Sequence, residues 1–77
     1  MNKDRRKEIT SIVEELEALK ERIEIVRDEE QDYFDNMPES FQSGEKGMAA
    51  EEAINNLDDA FGEVDTIINY LNSACGD

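Results

Sequence analysis

The sequence predicts an all-α fold, an antiparallel two-helix hairpin of coiled-coil type that dimerises into a four-helix bundle. Three observations carry this reading. The apolar residues fall into two runs that advance in steps of three and four. The only proline, Pro38, lies between the runs. The apolar stripe of the second run is wider than one facing helix covers. The expected elements are a helix over 3–36, a hinge over 37–44 and a helix over 45–75.

In the first run Ile9, Ile12, Leu16, Leu19, Ile23 and Val26 are spaced 3, 4, 3, 4, 3. That is a heptad seam with Ile9 at an a position and Ile12 at a d position. It continues in register through Glu30, Tyr33 and Met37. Val13 and Phe34 widen it on the e side, and Ile25 falls outside it at a c position. Glu30 is the charged occupant of the seam, tolerated by a wet seam end or paired with Arg27 one turn earlier. Asp4 with Lys7, Glu17 with Lys20 and Glu24 with Arg27 are i,i+3 pairs of opposite sign that support the helix locally.

Pro38 has no N–H and pushes Met37 toward extended geometry, so the first helix should stop near Asn36. Asn36 tolerates a left-handed cap position. Ser43 is the expected N-cap of the second helix, with Glu45 against its positive end.

The second run is Ala50, Ile54, Leu57, Phe61, Val64, Ile68, Leu71 and Cys75, spaced 4, 3, 4, 3, 4, 3, 4. A parallel row repeats every seven residues: Ala53, Ala60, Ile67, Ala74. The extra row is the reason for expecting two hairpins to associate. Ile54, Leu57, Phe61, Val64, Ile67, Ile68 and Leu71 are the expected oligomer interface. Gly62 falls on the outer face, and Gly76 is the expected C-terminal stop.

A single domain of 77 residues has little core of its own, and association is the expected supplement. One cysteine permits no internal disulfide, and the absence of histidine argues against a structural zinc site. No apolar run follows the basic start, and none approaches the length of a membrane span, which points to a cytoplasmic protein. The chain lacks the spacing of a phosphate loop or a calcium loop, and no nucleophile–base pair stands out. No cofactor and no enzymatic activity are therefore expected. Cys75 reads as a small apolar seam residue, and Tyr33, Phe34, Phe41 and Phe61 as core and hinge packing.

Net charge is −13 and unevenly placed. Residues 1–27 carry seven acids and seven bases, whereas residues 28–77 carry fourteen acids and one base, Lys46. Direct binding to nucleic acid or to an anionic membrane is disfavoured. In a hairpin, Lys3, Arg5, Arg6 and Lys7 approach the C-terminal carboxylate, and the acids collect at the hinge. Two readings of those acids stand side by side. They keep a small helical protein soluble, or they face a protein partner with a basic surface. Under the second reading Asp28, Glu29, Asp32, Asp35, Glu39, Glu45, Glu51 and Glu52 form the contact, with Phe41 as its apolar anchor.

The run Asp28-Glu29-Glu30-Gln31, the hinge Asp35-Asn36-Met37-Pro38-Glu39-Ser40 with Gln42, and Glu51-Glu52-Ala53 with Leu57 and Ala60 resemble a group of small phage- and prophage-encoded acidic helical-hairpin proteins. The likeness covers about the C-terminal two thirds of the chain and is most specific in the hinge. It implies a mobile-element context and a host-cell cytoplasm, and establishes no activity. In that context the expected function is an inhibitor. Its spaced carboxylates would imitate DNA and occlude the nucleic-acid-binding surface of a partner such as a host defence factor. The alternative is a purely structural coiled-coil assembly module.

Overall fold

A computed structural model describes residues 1–76. Helix α1 spans Lys3–Asp35, a single-turn helix α2 spans Glu39–Gln42, and α3 spans Glu45–Ala74. The two long helices pack side by side as an antiparallel hairpin of 58 × 15 × 14 Å. The expected helices are present, with the hinge folded into a helical turn of its own.

Caps account for the boundaries. Asn2 is the N-cap of α1, where its Oδ1 accepts from the Arg5 amide at 2.8 Å. Asn36 ends the helix in right-handed geometry, not in the left-handed conformation expected of it. Its side-chain Nδ2 donates to the Asp32 carbonyl at 2.8 Å, closing the last turn without a change of hand. Pro38 then opens α2, and its carbonyl accepts from the amides of Phe41 and Gln42. Gly76 carries the left-handed φ of 81° that terminates α3.

Ser43 does not cap α3. It closes α2, and its hydroxyl donates to the carbonyl of Glu39 at 3.3 Å. Gly44 takes the N-cap position and offers no side-chain bond. The one-turn helix claims Ser43 first, because its right-handed backbone is not the extended geometry an N-cap needs.

The second seam is used as expected. Ala50, Ile54 and Ile68 are buried, and Leu57, Phe61, Val64, Leu71 and Cys75 are half-buried. The first seam is not. Its a positions Ile9, Leu16, Ile23, Glu30 and Met37 are half-buried, but the d positions are exposed: Ile12 38%, Leu19 45%, Val26 51% and Tyr33 51%. The e positions Val13, Lys20, Arg27 and Phe34 turn inward instead. Helix α1 is therefore rolled by a fraction of a turn from the a/d seam to an a/e seam.

Two ion pairs explain the roll. Lys20 Nζ bonds Asp65 Oδ1 at 2.6 Å, and Arg27 Nε bonds Asp58 Oδ1 at 2.7 Å. The aliphatic stems of Lys20 and Arg27 cover the seam while their heads reach the acids beside it. Lys20 also sits 4.6 Å from the centre of the Phe61 ring. These bonds replace the local pairs with Glu17 and Glu24, and Arg27 does not reach Glu30 among the described ion pairs. The pairing fixes the register, with Lys20 level with Asp65 and Arg27 level with Asp58.

The hinge is locked from both sides. Gln42 Nε2 donates to the Phe34 carbonyl at 3.0 Å, tying α2 to the end of α1. Gly47, buried in the first turn of α3, lies directly against the backbone of Gln42.

Candidate functional site

The hinge end is acidic because both long helices bring carboxylates to it. Asp28, Asp32 and Asp35 follow one another at helical spacing on the outer side of α1. Glu29 lies on the neighbouring flank. Glu39 belongs to α2, and Glu45, Glu51 and Glu52 to the first two turns of α3. All eight acids are exposed. Helical phase points the α1 acids and Glu52 to opposite sides of the hairpin. The structure brings these residues to one end as a collar, not to one flat face.

Few of the collar acids have partners. Asp28 lies 3.6 Å from Arg27, and Asp35 accepts from Gln31 Nε2 at 3.0 Å. The other six form no ion pair among the described residues. Phe41 is 53% exposed. It lines a shallow open depression with Tyr33, Asn36, Met37, Pro38 and Lys46. Phe41 is thus an available apolar group at the tip, and Lys46 sits beside it.

The guanidinium of Arg27 is held above its usual basic range, chiefly by its hydrogen bond to Asp58, which desolvation opposes and which attraction to Asp58 and Asp28 and a hydrogen bond to Asp28 reinforce. A second hydrogen bond from its Nη2 to Asp58 Oδ2, at 3.5 Å, completes a forked contact.

The residues assigned to an oligomer interface divide. Ile54 and Ile68 are buried inside the hairpin, and Leu57, Phe61, Val64 and Leu71 are half-buried against α1. Ile67 stands 46% exposed. Sequence reasoning missed the exposed d row of α1, and with it an open apolar groove lined by Leu19, Val26, Leu57 and Val64. The available signal was the pair of bases at e positions, Lys20 and Arg27, opposite acids seven residues apart at 58 and 65.

Among the described residues no group of three or more His, Cys, Asp or Glu could hold a metal ion, and no helix is long and apolar enough to cross a membrane. The expected approach of the basic N-terminal residues to the C-terminal carboxylate falls on Asp77, outside the described residues. No protein-family model, no curated protein and no solved structure matches the chain.

Proposed function

We propose that this chain is a non-enzymatic interaction protein whose acidic hinge end occludes a basic, nucleic-acid-binding surface on a partner protein. The observation that carries this reading is the set of exposed carboxylates at the hinge that form no ion pair among the described residues: Glu29, Asp32, Asp35, Glu39, Glu45, Glu51 and Glu52. Carboxylates carried on rigid helices present charge in fixed positions, as a phosphate backbone does. Phe41 adds an exposed aromatic group at the tip, of the kind that anchors an interface. The setting is the cytoplasm, within a host cell if the chain is phage-encoded, and the partner is a protein such as a host defence factor.

The test is affinity capture from the host with the wild-type chain and with Asp32, Asp35, Glu51 and Glu52 all changed to lysine. A partner held by the wild type, released by duplex DNA and lost with the four lysines supports the reading. A partner retained equally by both chains sinks it.

A second reading is favoured by a separate observation, the exposed d row of α1. On that reading the chain is an assembly module, two hairpins associate as a four-helix bundle, and the acids keep the product soluble. The two readings are compatible in one molecule, and charge reversal at the hinge separates them because it leaves assembly intact.

A further inference from the structure

The hairpin has two unlike sides. One is closed by the Lys20–Asp65 and Arg27–Asp58 pairs. The other is open and apolar. Helical phase places the d row of α1 there, together with the row Ala53, Ala60 and Ile67 of α3. The register set by the ion pairs puts Tyr33 within one residue of the level of Ala53, Val26 of Ala60, and Leu19 of Ile67. The open groove lined by Leu19, Val26, Leu57 and Val64 lies on this side.

We infer that this open side is the site at which a second copy docks, with a two-fold axis crossing α1 at Val26 and α3 at Ala60. The inference rests on the association reading above and specifies its geometry. About the axis, α1 runs antiparallel to the second copy's α1, and α3 to the second copy's α3. Val26 then meets Val26, and Leu19 meets Tyr33. Ala60 meets Ala60, and Ile67 meets Ala53, so a large residue faces a small one on α3. Arg22, on the flank of α1, comes level with the second copy's Glu29 and Glu30. Every one of these matches is repeated by the symmetry, as an isologous interface requires.

Area points the same way. The chain exposes 5880 Å² at a mass of 8.8 kDa, whereas a compact monomer of that mass exposes about 4,800 Å². With the axis at Val26 the two copies overlap along about 45 Å of their length, and a strip of that length and 14 Å width offers roughly 600 Å², about three quarters of the share each partner contributes to a standard stable interface. Docking a second copy there removes most of the excess. Among the described residues the hairpin alone buries three apolar side chains, Ala50, Ile54 and Ile68, which is little core for an independent fold.

The test uses the full chain in a Cys75→Ser background. Sedimentation equilibrium should return a dimer. Val26→Asp, which brings two carboxylates together on the axis, should raise the dissociation constant about 100-fold. Val26→Cys should cross-link two chains under diamide, whereas Met48→Cys, off this side, should not. A chain that stays at the monomer mass overturns both this inference and the association reading. A dimer that ignores Val26→Asp and fails to cross-link through Val26→Cys overturns this face alone. If Val26→Asp simply loses its helix signal, the Val26→Cys cross-link still decides, because that variant keeps an apolar-sized side chain at the site.

Discussion

The carbonyl of Gln42 occupies the space that a side chain at Gly47 would need. A Cβ placed on Gly47 would sit far inside the 3.0 Å that real Cβ atoms keep from their neighbours, against the backbone of Gln42 on three atoms. The obstacle is main chain, which cannot rotate away. Because Gln42 is also tied to the Phe34 carbonyl, α2 cannot retreat without loosening the end of α1. Gly47→Ala should therefore destabilise the fold by about 1–3 kcal/mol through overpacking, despite the better helix propensity of alanine.

Gly62 supplies the opposite sign. It lies in mid-helix with nothing within 4 Å of a built Cβ. Gly62→Ala should stabilise by about 1 kcal/mol, raising the melting temperature by roughly 4–8 °C. Thermal melts of the two variants beside the wild type check both signs. A Gly47→Ala protein as stable as the wild type would mean that the hinge is not locked as described.

The Arg27–Asp58 contact sets the register and the roll of α1. Asp58→Arg should lower the melting temperature, and adding Arg27→Asp should recover most of the loss. Recovery is the informative result, since two unrelated losses would add. The raised guanidinium gives the sign of the pH dependence. Its contribution is fully present below the usual arginine range and lost only as pH rises through the raised value. The recovery should accordingly be the same at all pH values from about 6 to 9.

Ile68 is buried in the α3 seam at 6% exposure. Ile68→Asp places an unpaired charge there and should abolish the helix signal in circular dichroism at room temperature. Ile25→Asp, at a position 57% exposed, should leave the signal unchanged.

Added salt should raise the melting temperature at neutral pH. Thirteen excess negative charges repel one another, and screening relieves that repulsion. The two cross-helix ion pairs weaken as well, but both are partly exposed and contribute less than the unbalanced charge. Melts at low and at about 0.5 M salt make the comparison, since at the higher concentration the Debye length falls below ten ångströms. A melting temperature that falls with salt would show that the hinge acids are already compensated.

The chain by itself determined the helices, their antiparallel order and the seam of α3. Period and punctuation are local properties, so eight apolar residues at 3-4 spacing and one proline suffice to state them. The acidic polarity was equally legible, because charge is counted and not folded. Asn36 is the helix end that the sequence indicates, but its hand is set by the side-chain bond to the Asp32 carbonyl, and Ser43 loses the N-cap role because a one-turn helix between the long ones takes it as its own end. The roll of α1 was decided only by tertiary structure. The apolar stripe of α1 spans the a, d and e positions, and one partner helix covers only part of it. Sequence spacing favours the d side, which is apolar throughout, over the e side, which carries Lys20 and Arg27. The choice went to e because Lys20 and Arg27 can cover the seam with their stems and still reach Asp65 and Asp58, and it left Ile12, Leu19, Val26 and Tyr33 facing outward.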